Sequence, residues 1–310
     1  MKRIAILTTL LLVLPSLALA AGFAKVGTFG GQELKIGVSA RATAMGSAFT
    51  GVADDATSVF WNPGGLVNVK GNEVSVNHVT WAADTKLSTA ILAFNPRSIP
   101  GTFAFSVRSY WMDPQLVRTA YNPEGTGETF DAGTTTFGLT YARFFTDKFS
   151  AGVTLNYLHM GLAETAVNTG SLDFGIMYRI GIKDLKLGMA IQHLGGKFTF
   201  DERESKLPVA FKVGASFNAF RNERQRMTVA VEFQHPSDNL ERANVGLEYA
   251  LNNMFFARGG YHINYDTDGV AFGFGAALHT GEKSKLQADY SAVDMSALGY
   301  VHRFTLSVTY

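Results

Sequence analysis

From Val74 to the end of the chain, apolar and polar residues alternate with a period of two. The clearest run sets Phe149, Ala151, Val153, Leu155 and Tyr157 against Ser150, Gly152, Thr154 and Asn156. Successive side chains of a strand point to opposite faces, so this run predicts one greasy face and one small or polar face. Leu172, Phe174, Ile176 and Tyr178 repeat the pattern, as do Val209, Phe211, Val213, Ala215 and Phe217, and Met227, Val229, Val231 and Phe233. Segmenting the chain this way predicts fourteen strands. The first seven are Val74 to Ala82, Lys86 to Asn95, Thr102 to Met112, Thr134 to Phe145, Phe149 to Gly161, Ser171 to Gly181 and Leu185 to Leu194. The rest are Pro208 to Phe217, Met227 to His235, Ala243 to Ala250, Met254 to Ile263, Gly269 to Leu278, a short Leu286 to Ser291, and Val301 to Tyr310.

The period alone leaves two architectures open. In a soluble sandwich the apolar face is the core; in a transmembrane barrel it faces lipid and the polar face lines the lumen. The strand number is even, and most segments approach the ~9 to 11 residues that cross an outer membrane when tilted. Bacterial barrels keep periplasmic turns short and place long loops outside. With a periplasmic N-terminus the third and seventh connections, Asp113 to Gly133 and Gly195 to Leu207, are external, and both are long and polar. The fourth, sixth and tenth, around Thr146, Ile182 and Leu251, are tight. The first connection, Ala83 to Thr85, is short where the rule makes it external. The final segment alternates Phe304, Leu306, Val308 and Tyr310 with Arg303, Thr305, Ser307 and Thr309, and resembles the last-strand signal of assembled outer-membrane barrels.

Before Asn72 there is no sustained alternation. Lys2 and Arg3 precede an apolar run from Ile4 to Leu14, and Ala18, Leu19 and Ala20 supply small residues for cleavage after Ala20, so residues 1–20 read as a secretory leader. The run is shorter than the ~20 residues of a spanning helix. Residues 21–72 are rich in Gly, Ala and Ser, with Ser39, Ala40, Ala42, Ala44 and Gly46 suited to a short helix.

Composition then separates the two architectures. Charged residues make up only 17%, Gly numbers 32, and no later stretch is a continuous apolar helix, so any membrane crossing must be by strands. The absence of Cys excludes a disulfide framework, a thiol nucleophile and a lipidated cysteine. A net charge of +1 with scattered basic residues argues against nucleic acid. The histidines His78, His159, His193, His235, His262, His279 and His302 lack metal-ligand spacing, and Gly273, Phe274 and Gly275 sit inside a strand rather than before a helix. No nucleophile elbow or phosphate loop occurs, so no catalytic, cofactor or metal site is expected. A Ser, His and Asn or Asp set meeting only in space is the enzymatic alternative. Aromatics near segment ends, among them Trp81, Tyr110, Trp111 and Tyr141, are expected to form interfacial girdles.

Several blocks resemble one family in order and spacing. They are Ala40, Arg41, Ala42, Met45 and Gly46; Val52 to Ala56; Trp61, Asn62, Pro63, Gly64, Gly65 and Leu66; Ile191 to Gly195; Leu207 and Pro208 with Lys212, Val213 and Gly214; His235 to Asn239; Val245 to Tyr249; Arg258 to Tyr261; and His302, Arg303 and Phe304. Over nearly the whole mature chain the sequence resembles the PorV/PorQ family, which is related to FadL-type transporters. His193 stands where relatives commonly have Asn, and Gly64 where they frequently have Ala. The resemblance implies an all-β protein of the outer membrane, a 14-stranded antiparallel transmembrane β-barrel over residues 73–310, with residues 21–72 folded into the lumen as a hatch. It implies a non-enzymatic role in type IX-type protein export or surface attachment, with secreted cargo and translocon or attachment components as partners beside outer-membrane lipid. The alternative is a FadL-like channel for uptake or efflux of fatty acid or other hydrophobic small molecules. That alternative predicts a greasy pocket between hatch and wall with a kinked strand beside it. A hatch in a polar lumen must satisfy its buried charges, and Arg41, Asp54 and Asp55 are the candidates. Asn62, Pro63 and the following glycines are expected to turn the chain sharply before the first strand.

Overall fold

The computed structural model describes residues 27–200, 202–267, 269–281 and 284–310; the expected leader lies outside them, as does Asp201 in the seventh connection. The strands are β1 Glu73–Thr80, β2 Lys86–Phe94, β3 Thr102–Trp111, β4 Ala132–Phe144, β5 Phe149–Leu162, β6 Thr165–Ile180 and β7 Leu185–Gly195. They continue as β8 Ala210–Arg221, β9 Gln225–Pro236, β10 Arg242–Leu251, β11 Phe255–Ile263, β12 Val270–His279, β13 Lys285–Asp294 and β14 Tyr300–Thr309. Each pairs antiparallel with the next, and β1 closes on β14 from Glu73 opposite Thr309 to Thr80 opposite His302. Closure leaves no strand edge unpaired, which a wall in hydrocarbon requires.

The alternation sorts side chains between the two faces of this wall. On β12, Val270, Phe272 and Phe274 are exposed while Ala271, Gly273 and Gly275 are buried. On β14, Phe304, Leu306 and Val308 point out and Arg303, Thr305 and Ser307 point in. Phe274 is 62% exposed and Leu278 58%. A water-soluble fold would bury such side chains; here they form the lipid-facing surface.

The two ends differ. At one, tight turns join β6 to β7 and β10 to β11, with positive φ at Lys183 and Asp184 and at Asn252 and Asn253. Two consecutive residues in that region suit the twist of a hairpin, and Asn tolerates it well. At the other end lie the long β3–β4 and β7–β8 connections. The first pairs Gln115–Leu116 with Thr129–Phe130, and the second pairs Lys197–Phe200 with Arg203–Lys206. By the loop-length rule this is the external end. The largest extensions past the predicted limits are in β6, which begins at Thr165, β8, which ends at Arg221, and β13, which runs on to Asp294.

Candidate functional site

The interior of the barrel is occupied by residues from Gly30 to Val69, built from short turns, of which those beginning at Ala40, Ala56 and Pro63 are capped by a side chain. Ser39, with φ 76°, caps the helix α1 (Ala40–Ala44) and accepts a bond from the Ala42 amide. Asp55 caps the turn Ala56–Phe60 by accepting from the Thr57 amide at 3.0 Å. Asn62 caps the turn Pro63–Asn68 by accepting from the Gly64 amide at 3.1 Å, with Pro63 at its first position. Proline is suited there because that amide has no helical partner. Asn62 also donates to the Thr50 carbonyl at 2.8 Å and to the Ile176 carbonyl of β6 at 3.0 Å, tying two parts of the segment to the wall.

Backbone meets backbone at three pairs of directly opposed wall glycines. Gly152 and Gly175 face Pro63 and Gly64; Gly188 and Gly214 face Thr50 and Gly51; Gly246 and Gly260 face Met45 and Gly46. A Cβ on Gly214 would lie 2.8 Å from the Gly51 nitrogen, and one on Gly246 would lie 2.9 Å from the Met45 Cβ. Apolar packing fills the rest. Met45, Phe49, Val52 and Trp61 pack with Met177 and Ala230, and Leu66 and Val69 pack with Ile91, Ala104 and Ala142.

The structure brings Arg41, Asp54 and Asp55 together and adds wall residues to them. Arg41 Nη1 donates to Asp54 at 2.6 Å and to Asp55 at 2.9 Å, while its Nε and Nη2 grip both oxygens of Glu248 on β10 at 2.8 and 3.1 Å. Arg258 on β11 bridges Glu248 at 2.8 Å and Asp289 on β13 at 2.6 Å. Lys186 reaches Asp54 at 3.4 Å and Arg226 reaches Glu248 at 3.2 Å. The four cations Arg41, Lys186, Arg226 and Arg258 thus face the four carboxylates Asp54, Asp55, Glu248 and Asp289. Burial works against charge on Arg41, but Asp54, Glu248 and Asp55 outweigh it and hold the guanidinium well above its ordinary value. Burial likewise works against the Asp54 carboxylate, and Arg41 and Lys186 hold it well below the ordinary carboxylate range.

Toward the external end a cavity of about 500 Å³ separates the segment from the wall. Lys35, Arg108, Lys212, Arg242 and Arg303 line it, against the carboxylates Glu33 and Asp266. Trp81 and Tyr110 also face it and pack on the Ile36 and Val38 cluster, so these two aromatics are interior rather than girdle residues. Beside it the β6–β7 ladder shifts register between Leu172 and Phe174. There His193 takes φ 59° and donates its amide to Asp173 at 2.6 Å. Lys186 and Asp289 escaped the sequence reading, and Glu248 and Arg258 entered it only within family blocks and not as charge partners, although each of the four falls in the polar phase of its strand. A charge at that phase of a lipid-facing strand was the signal.

Comparison with known proteins places this geometry. Residues 24–236 match the sequence profile described as Type IX secretion system protein PorV. No curated protein matches the chain. In backbone the chain is similar to a Pseudomonas aeruginosa FadL homologue, with a TM-score of 0.57 at 11% identity, covering 89% of this chain and 98% of that one. The Ralstonia pickettii toluene transporter TbuX gives 0.60 at 12% identity, over 87% and 96% of the two chains. The Pseudomonas putida toluene transporter TodX gives 0.56 at 11% identity, over 86% and 96%. At such identities the likeness is one of fold.

Proposed function

Because the chain belongs to the PorV family, we propose that it serves type IX protein export or surface attachment as a non-enzymatic barrel of the outer membrane. It reaches that membrane through a cleaved leader, and its partners are exported proteins and translocon or attachment components that meet the external loops. Residues 21–72 act as a plug, with Arg41, Asp54, Asp55, Asn62 and Pro63 fixing its geometry. The observation that carries this reading beyond family membership is the filled lumen. Three glycine pairs let the plug backbone lie directly on the wall, and a neutral eight-charge network locks it there. A protein built this way works at its rim, and the hairpins of the β3–β4 and β7–β8 connections are the surface offered.

A FadL-like channel for hydrophobic small molecules is the second reading, and the register shift at Asp173 and His193 favours it. The cavity beside that shift counts against it, because five cations line the space where a greasy pocket is required. Deleting the gene and comparing the surface proteome with fatty-acid uptake separates the readings. Loss of exported proteins from the surface with normal uptake is expected. An unchanged surface proteome with impaired uptake overturns the proposal.

A further inference from the structure

We infer that the external cavity is a binding site for a small oxyanion, a phosphate or carboxylate group, held by Lys212, Gln234 and Arg242. Lys212 on β8 stands directly opposite Gln234 on β9, and Gln234 opposite Arg242 on β10. All three fall in the inward phase of their strands and line the cavity. Neighbouring strands lie ~4.8 Å apart, so an ammonium, a carboxamide and a guanidinium spring from a row about 10 Å long. Side chains of that length converge readily on one anionic group, and the three supply donors suited to its oxygens.

Among the described residues neither outer charge forms a direct ion pair. Lys212 is only 9% exposed, its ammonium sits 5.0 Å over the Trp61 ring, and among the described residues it makes no hydrogen bond or ion pair. Arg242 stacks on Tyr265 at 4.4 Å, and its buried Nε has no partner. Two neighbouring cations are committed elsewhere. Lys35 pairs with Asp238 at 2.6 Å, and Arg108 donates to the Leu34 and Ile36 carbonyls at 3.2 and 3.1 Å. Two buried acids act on Lys212 through space without a direct ion pair, and one oxygen of Glu232 has no hydrogen-bond partner. Glu232 accepts from the Phe49 and Thr50 amides, and Asp173 accepts from the His193 amide and Asn156. A buried ammonium over an aromatic ring, with carboxylates acting on it only through space, gains from a direct anionic partner, and the cavity is where one can enter. A neutral hydrocarbon cannot supply one.

The inference does not depend on the secretion role, and its test is direct binding. The full chain, folded in a non-ionic detergent, is titrated calorimetrically with inorganic phosphate, acetate and glycerol 3-phosphate. Native protein is expected to bind phosphate or acetate, and Lys212→Gln and Arg242→Gln are each expected to weaken binding by about tenfold or more. Lys86→Gln, at the rim pair with Asp113, is expected to change nothing. Tighter binding of glycerol 3-phosphate than of phosphate assigns a phosphoester headgroup; equal binding assigns the free anion. If Lys212→Gln fails to fold, Gln234→Glu keeps both cations, adds a carboxylate between them and is expected to abolish binding. Native protein that binds none of the three probes, or folded variants that bind as the native chain does, overturns the inference.

Discussion

Replacing Glu248 by Gln tests what holds the plug in the barrel. Glu248 is buried and accepts from Arg41, Arg226 and Arg258, so the nearly isosteric amide removes one negative charge from a balanced set and leaves an excess cation. Breaking a buried pair by neutralising one member costs ~3–5 kcal/mol. Here Arg41 keeps Asp54 and Asp55, and Arg258 keeps Asp289, so the remaining partners reduce the expected loss to about 2–3 kcal/mol. The loss should fall on plug docking, because the fourteen-strand ladder closes without any residue before Glu73. Trp61 lies in the plug and reports on it once Trp81 and Trp111, the other tryptophans, are changed to Phe. Urea titration of the detergent-folded variant should move the Trp61 transition to lower urea. The heat-dependent gel mobility that reports the closed barrel should keep its native midpoint. Arg41→Met combined with Glu248→Gln should show a coupling of at least about 1 kcal/mol between the two sites. Coincident Trp61 transitions for native and variant protein, or additivity of the two substitutions, would refute the electrostatic account.

The same docking makes further predictions. Gly246→Val places a branched side chain against Met45 and should expose the plug to added protease while leaving the barrel intact, a destabilisation of about 1–3 kcal/mol. Asn62→Ala removes two donated bonds and one accepted bond from a fully buried side chain and should cost about 2–4 kcal/mol in the Trp61 transition. Because Asp54 is held below the usual carboxylate range, its contribution is complete above an unfolded value of about 3.9 and is lost as pH falls through the lower folded value. Comparing the acid profile of Trp61 fluorescence in native protein and Asp54→Asn isolates this contribution: the two should differ in stability above about pH 4 and converge in stronger acid, and identical profiles throughout would contradict this. Leu306→Arg puts charge on the lipid face near mid-strand and should reduce barrel stability in liposomes by about 2–4 kcal/mol, whereas a soluble-core reading predicts collapse of folding even in detergent.

The barrel was legible because lipid and lumen impose opposite demands on adjacent residues, and that demand writes a period of two into every strand between them. Where the demand stops, so does the signal. The first residues of β6, from Thr165 to Gly170, pair with β5 by backbone bonds beyond the predicted segment, and no greasy face marks them. The end of β8, from Asn218 to Arg221, is likewise strand by pairing with β9 rather than by pattern. Trp81 and Tyr110 sit at strand ends, where sequence cannot distinguish an interfacial ring from one turned inward onto Ile36 and Val38. The capping roles of Asp55 and Asn62 follow from local chemistry, since each side chain serves an amide two residues on. Their wall partners do not, because Glu248 meets Arg41 only after the barrel has closed.

The arrangement of glycine and charge bears on how much the lumen can move. Each opposed glycine pair creates a shallow slot in an otherwise side-chain-lined wall, and a plug turn occupies each slot on β5–β6, β7–β8 and β10–β11. The slots lie around half the circumference, so tilting the plug away from one pair presses it into another. The charge network adds a second constraint, because any displacement of Arg41 separates it from Asp54, Asp55 and Glu248 together. Opening a path along the axis would have to overcome both at once, whereas the external cavity lies above the network and beside the register shift and needs neither broken. A ligand could enter and leave that cavity with the plug at rest. Binding at the external end and a plugged barrel are therefore compatible in this fold.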